Sequence, residues 1–145
     1  MKMARNLDRS RNQAAPALPV TAEEVSMLTD ERIDIFDLFL ARFGKLQDFL
    51  VSKLFRSAAL ASLEDIHADV SVLDMLRRME KFGIIDSADS WLQLRMLRNA
   101  FAHEYLTDNA AIAENINKAF ELAPLLTDAI KRAEDYFAEH IASKD

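Results

Sequence analysis

The sequence has no cysteine and contains only two glycines and three prolines among 145 residues. Without thiols, the chain forms neither a disulfide nor a thiolate metal site. Because glycine and proline interrupt helices more than other residues do, their scarcity favours long helices over an architecture of strands and turns. Hydrophobic residues make up 50% of the chain, which is sufficient for the core of one domain of this length.

Two further absences concern location and charge. No stretch of the sequence is apolar over the length of a signal peptide or a membrane span, so we expect a cytoplasmic protein that does not enter a membrane. The formal net charge of -6 at pH 7 argues against a protein that coats DNA regardless of sequence, since such a protein needs a strongly basic face. A small, locally basic site is compatible with this charge.

The first twenty residues carry four basic side chains and end in AAPALPV, which has few large apolar residues. We therefore predict a mobile basic N-terminal arm over residues 1–20 and a single helical domain over residues 21–145. A solvated tail without a role is the simpler interpretation of this arm, and an arm that guides RNA is the alternative.

Helix signals in the first half of the domain predict two helices. TAEE at residues 21–24 is a capping box that starts a short helix. Asp30 is a candidate cap for a longer helix, in which apolar residues repeat at helical spacing from Ile33 to about Ser57. Five of the nine phenylalanines lie between residues 36 and 55, so we expect this helix to meet two other helices or a second subunit.

The second half of the domain carries similar signals. Ser71 is expected to cap a helix that Gly83 terminates in a left-handed conformation, and Asp86 or Ser87 is expected to cap the next helix. Pro124 is expected to break or kink a later helix, because proline lacks the backbone N–H and clashes with the preceding turn. The predicted fold class is therefore all-α, a bundle of four to five helices.

One of these helices contains the segment RNAFAHEY, at residues 98–105, which has several polar side chains. On a helical wheel of about 100° per residue, Arg98 points out of the middle of the apolar stripe, and Tyr105 lies two turns away on nearly the same line. Asn99 and His103 share a neighbouring strip, one turn apart. A permanent cation, an imidazole and two further hydrogen-bonding side chains in one place suit phosphate chemistry.

Each of these residues also has a purely structural interpretation. An unpaired guanidinium in apolar surroundings is very unfavourable, so Arg98 needs a carboxylate such as Glu64 or Asp65, backbone carbonyls, or a cleft that binds anions. His103 is explained equally simply as a hydrogen-bonding residue near a helix end. The occurrence of all four polar residues together favours the functional interpretation.

The pattern R-N-x-x-x-H-x-Y at residues 98–105 resembles the signature of the HEPN superfamily, and especially of its HepT-like toxins, which have R-x4-H-x-Y with a polar residue after the arginine. The similarity covers about residues 30–142. It includes MEKFGIID before the motif helix, a helix with a proline near its end, and a long terminal helix. The segment before residue 30 departs from a minimal member of the family.

The resemblance implies a homodimer in which the two motif helices face one cleft, and it implies an endoribonuclease that needs no metal ion or cofactor. The 2'-hydroxyl of RNA would be the nucleophile. His103 would transfer a proton, Arg98 would stabilise the charge that develops on the phosphoryl group, and Asn99 would position the phosphate or the imidazole. A single histidine does not serve as acid and base at once, so the second subunit would supply the other.

The resemblance also implies a partner protein. HepT-like toxins belong to toxin–antitoxin systems of type II or type VII, in which a cognate minimal nucleotidyltransferase antitoxin neutralises the toxin. Here it would act by AMPylation of Tyr105 or by steric binding. The alternative is that the chain is a non-catalytic, substrate-binding subunit of a minimal nucleotidyltransferase. A helical adaptor with a degenerate site is a third possibility.

Basic residues outside the motif are expected to contact the RNA backbone. The proposed RNA-binding residues are Arg77, Arg78, Lys81 and Arg95. An ordinary charged face of a helix explains the same residues at least as well.

Overall fold

The computed structural model describes residues 1–62, 70–102 and 108–142. Across these ranges the chain forms helices and no β-strand, which confirms the predicted all-α class. The elements are α1 (Lys2–Ala14), a 3-10 turn (Ala15–Ala17), α2 (Ala22–Val25), α3 (Asp30–Phe49), a π-helical turn (Leu50–Leu54), α4 (Phe55–Ala61), α5 (Val72–Lys81), α6 (Ala88–Ala102) and α7 (Asn109–Ala142). The π-helical turn joins α3 and α4 into one helix, so six helices pack together in the described part, more than the four to five predicted. None of these described helices is long and apolar enough to cross a membrane.

The N-terminal segment packs into the bundle, so the prediction of an unpacked, mobile arm is wrong. Helix α1 buries Leu7, Ser10 and Ala14 against α3 and α7. These three residues are spaced three and four apart, which gives α1 a narrow strip of buried residues. The end of the segment is also held, because the Val20 N–H donates to Asn117 Oδ1 and Asn117 Nδ2 donates to the Val20 carbonyl, both at 2.8 Å.

Pro124 lies inside α7, and the helix continues through it from Asn109 to Ala142, so the break expected at this proline does not occur. Because proline has no N–H, the carbonyl of Phe120, four residues earlier, lacks its helical donor. Arg11 of α1 replaces that donor: its Nε donates to the Phe120 carbonyl at 2.9 Å, and its guanidinium lies 4.0 Å from the centroid of the Phe120 ring. Helix α1 therefore compensates for the proline in α7.

Helix α3 carries a wide apolar surface. Its residues Phe36, Phe39 and Phe43 are buried, and the helix contacts α1, α6 and α7. Of the two predicted alternatives, other helices or a second subunit, the contacts with other helices are therefore confirmed. Trp91 of α6 packs edge-on against Phe55 of α4 with ring centroids 5.1 Å apart. This contact fixes the start of the motif helix, α6, against the α3–α4 helix.

The residues before α6 form a turn that the sequence largely predicts. Gly83 has a φ of 80°, as expected for the residue that terminates α5. Ser87 caps α6, because its Oγ accepts from the Ser90 N–H at 3.2 Å. Asp86, the other candidate cap, instead accepts from Arg132 Nη1 of α7 at 2.7 Å, and this hydrogen bond raises the pKa of Arg132. The caps predicted for two other helices are confirmed at Thr21 and Ser71.

Candidate functional site

Arg98 lies on the side of α6 that faces α3, where it pairs with a carboxylate. Its Nη2 donates to Asp48 Oδ2 at 3.1 Å, and the two side chains are 31% and 53% exposed, respectively. A salt bridge this open to solvent contributes about 1 kcal/mol or less to stability. Glu64 and Asp65, the carboxylates suggested as partners from the sequence, lie outside the described residues. The Arg98 side chain therefore remains partly exposed to solvent beside this carboxylate.

Gly44 allows Arg98 to approach α3 closely. Gly44 is buried, and a Cβ atom at this position would lie 2.6 Å from Nε, 2.7 Å from Cδ and 3.0 Å from Cζ of Arg98. Glycine in a helix interior is less favourable than alanine by about 0.5–1 kcal/mol. The absence of a side chain at Gly44 therefore lets the arginine lie directly on the backbone of α3.

The guanidinium of Arg98 is incompletely paired within the described part of the chain. Its Nε is buried without a hydrogen-bond partner there, and Asp48 is the described partner of the terminal nitrogens. A guanidinium has five N–H donors, of which this single bond uses one. Since the side chain is 31% exposed, its remaining terminal donors are available to a ligand that approaches from solvent.

The other motif residues follow Arg98 in the sequence. Asn99 is exposed on α6, whereas His103 and Tyr105 lie outside the described residues, so their assigned roles stay predictions. Met96 is 71% exposed and lies one turn before Asn99 on the same strip of the helix. With Leu97 and five other residues of α6 and α7, Met96 also lines an open and mainly apolar groove.

The basic residues predicted to bind RNA lie on two helices. Arg77 and Lys81 are exposed on α5, and Arg78 is half-buried there. Arg95 of α6 lines a cleft together with Arg56 of α4, a residue that the sequence argument missed. The sequence carries no local signal for Arg56, because this pairing depends on how α4 packs against α6.

Gly44 and Asp48 are the other residues of the site that the sequence argument missed. A glycine inside a helix with regular apolar spacing is a signal for a close packing contact, so Gly44 was identifiable in principle. Asp48 is one of many acidic residues on exposed helix faces, and nothing in its neighbourhood distinguishes it. Its role follows only from its contact with Arg98.

Neither a cluster of metal ligands in the described residues nor a similar known protein identifies further residues of the site. The described ranges contain no group of three or more His, Cys, Asp or Glu side chains that would hold a metal ion. No protein-family model, curated protein or solved structure matches the chain. Candidate functional residues are therefore inferred from the motif and from the contacts of Arg98.

Proposed function

We propose that this chain is a HepT-like toxin of the HEPN superfamily, a dimeric endoribonuclease that cleaves RNA without a metal ion. The observation that carries the proposal is the position of Arg98. This motif arginine lies on the backbone of α3 at Gly44 and is partly exposed, and among the described residues its one carboxylate partner is the exposed Asp48. A fixed cation at the surface of a helical bundle is what a phosphodiester needs when the RNA supplies its own nucleophile.

In the proposed reaction, the 2'-hydroxyl oxygen forms a bond to phosphorus and the bond from phosphorus to the 5'-oxygen breaks. His103 of one subunit accepts the proton of the 2'-hydroxyl, and a second histidine donates a proton to the leaving 5'-oxygen. Arg98 interacts with the phosphoryl oxygens, on which negative charge increases in the transition state. Asn99 positions the phosphate or the imidazole. The products are a 2',3'-cyclic phosphate and a 5'-hydroxyl.

The second histidine is the reason to propose a homodimer with paired motif helices. Met96, an apolar side chain that is 71% exposed, lies one turn before Asn99 on the same strip of α6. A second copy of α6 placed against this strip would bring two motifs to one cleft and cover the methionine. The groove that Met96 and Leu97 line offers further apolar surface for this contact.

The contact between Arg98 and Asp48 also supports a rival proposal. If the salt bridge is the main role of Arg98, the chain is a non-catalytic, substrate-binding subunit of a minimal nucleotidyltransferase, and the motif stabilises the bundle. The weakness of so exposed a pair favours the ribonuclease, because the pair contributes only about 1 kcal/mol or less to stability and the buried Nε of Arg98 has no hydrogen-bond partner among the described residues. Substitution of Asp48 separates the two proposals.

Cleavage of RNA by the purified chain tests the proposed function. Transfer RNA and messenger RNA incubated with the protein in EDTA are expected to yield fragments with 2',3'-cyclic phosphate ends. His103→Ala is expected to lose about 100- to 10,000-fold in rate, because it removes the proton-transfer group. His140→Ala, in α7, is the matched control and should cleave normally. Light scattering on the same sample should give the mass of a dimer.

Either of two results would contradict this assignment. Cleavage by His103→Ala at the parental rate would exclude the histidine from the reaction. A protein that remains monomeric at micromolar concentration while cleaving RNA would exclude the shared site, because one subunit would then contain every group the reaction needs.

Tyr105 is the proposed site of control by the antitoxin nucleotidyltransferase. A phenol is a poor acid or base near neutral pH, so we expect Tyr105→Phe to keep most of the cleavage activity. Transfer of AMP to Tyr105 would add bulk and a phosphodiester anion able to pair with Arg98 in place of the RNA phosphate. Tyr105→Phe is therefore expected to escape neutralisation when coexpressed with the nucleotidyltransferase.

Mass spectrometry of the coexpressed proteins checks this expectation, and it should find one or more AMP groups on Tyr105. Tyr136→Phe is the control, since Tyr136 is the second of the two tyrosines and is buried in α7. A neutralised complex with an unmodified Tyr105 would show that the antitoxin acts by steric binding instead.

A further inference from the structure

A cleft of about 310 Å³ lies between α4, α5 and α6, close to the motif arginine. Arg56 of α4 and Arg95 of α6 line it, together with Ser52 of the π-helical turn and Ser71 at the start of α5. The remaining lining is apolar, and none of the lining residues is acidic. Arg95 precedes Arg98 by one turn of α6, a distance of about 4.5 Å along the helix axis. The cleft is thus directly beside the proposed site.

The two arginines give this cleft a positive charge that no carboxylate among its described lining residues balances. Both are half-buried, and neither forms a salt bridge with any residue in the described ranges. Two cations in one cleft repel each other, and partial burial strengthens that repulsion by reducing the screening from water. An anion between Arg56 and Arg95 would remove the repulsion and pair with both.

Backbone groups at the start of α5 add to the attraction for an anion. Ser71 caps the helix by accepting from the Asp74 N–H, and the preceding residues of the first turn keep N–H groups without an intrahelical acceptor. Val72 belongs to that turn and lines the cleft. Asp74 lies in the same turn but is exposed and does not line the cleft.

The relative direction of the α3–α4 helix and α6 determines where this cleft lies with respect to Arg98. On the α3–α4 helix, Asp48 contacts Arg98, whereas Ser52 and Arg56, one and two turns later, share the cleft with Arg95. The two helices therefore run in opposite directions here, and the contact of Arg98 with Asp48 lies about one turn of α6 from the cleft that Arg95 and Arg56 line. A positively charged groove that follows the backbone is the common feature of proteins that bind single-stranded nucleic acid.

We propose that Arg56 and Arg95 bind a backbone phosphate of single-stranded RNA, next to the phosphate that Arg98 contacts. This inference rests on the proposed ribonuclease function and specifies how its substrate is held. The phosphate pairs with both guanidinium groups, and the apolar lining from Val51 and Met75 contacts the sugar. The cleft contributes binding and positioning and takes no part in proton transfer.

The test measures the affinity of the full chain for single-stranded RNA as a function of salt, with His103→Ala present in every variant to prevent cleavage. Removing one phosphate contact from a single strand is expected to reduce the slope of log affinity against log salt by about 0.7. We expect this reduction for Arg56→Gln and for Arg95→Gln, and recovery of the slope in Arg95→Lys. Lys131→Gln, which removes the same charge from an exposed position of α7, should leave the slope unchanged.

A parallel titration with inorganic phosphate, monitored by NMR of the arginine side chains, distinguishes a general phosphate site from one that serves RNA. Phosphate binding at Arg56 and Arg95 without any change of the RNA salt slope in the two glutamine variants would overturn the assignment to RNA. An unchanged slope without phosphate binding would overturn the site altogether.

The proposed ribonuclease function fails in a different way. If the wild-type chain cleaves RNA normally but the slopes are unchanged in Arg56→Gln and Arg95→Gln, only the cleft assignment is wrong. If the slopes fall as expected but the wild-type chain cleaves no RNA, the cleft binds RNA in a protein that is not a ribonuclease. A chain that does not bind RNA overturns both proposals.

Discussion

Arg98→Ala is expected to reduce RNA cleavage by about 100- to 1,000-fold, because it removes the cation that stabilises charge in the transition state. The same substitution should change the free energy of unfolding by only about 1 kcal/mol, since the pair with Asp48 is largely exposed. Loss of the unpaired Nε offsets part of that change. Cleavage rates and urea unfolding of the same preparations measure the two effects separately.

Asp48→Asn is the matched variant for this prediction. It removes the carboxylate partner and leaves the guanidinium of Arg98 in place, with one more donor available to the RNA phosphate. If Arg98 acts on RNA, Asp48→Asn should retain cleavage or increase it. If Arg98 serves only the salt bridge, Asp48→Asn and Arg98→Ala should have similar effects on the free energy of unfolding. Neither substitution should then change the rate of RNA cleavage. Equal loss of cleavage in both variants would contradict a direct role for the arginine.

Gly44→Ala is expected to reduce cleavage by about 100-fold, although it adds only one methyl group and lies on a different helix from the motif. The new Cβ would be 2.6 Å from Nε of Arg98, so the arginine must move away from α3. A displacement of about 1 Å at a reacting group is sufficient for a loss of this size. Cleavage by the folded variant, with helical content checked by circular dichroism, measures the effect.

A double-mutant cycle tests whether Gly44→Ala acts through Arg98. In the Arg98→Ala background the clash is absent, so alanine at position 44 should stabilise the helix by about 0.5–1 kcal/mol through its higher helix propensity. In the wild-type background this gain should be reduced or reversed. Equal changes in the free energy of unfolding in both backgrounds would show that Gly44 and Arg98 are not coupled.

The parts of the fold that the sequence predicts are those with strong local signals. The capping box at Thr21, the cap at Ser71 and the left-handed Gly83 depend on residues within a few positions of each other, and all three are present. The wide apolar surface of α3 is similarly readable from the spacing of its phenylalanines. Such features follow from short-range hydrogen bonds and from helical periodicity.

The features that the sequence did not predict depend on residues far apart in the chain. Helix α1 is stabilised in part by the contact of Arg11 with Phe120, 109 positions away, so the composition of the N-terminal segment alone was misleading. Asp48 is 50 positions from Arg98. Local patterns show that an arginine needs a partner, but tertiary packing decides which carboxylate provides it.

The contact between Arg11 and the helix around Pro124 also restricts the order in which these positions can change during evolution. While Pro124 is present, loss of Arg11 leaves the Phe120 carbonyl without the donor that replaces the missing helical N–H. If another residue first replaces Pro124, the helix regains that N–H, and position 11 becomes free to vary. Lineages that keep the proline are therefore expected to keep a hydrogen-bond donor at position 11. In lineages that lose the proline, positions 11 and 124 are expected to vary independently of each other.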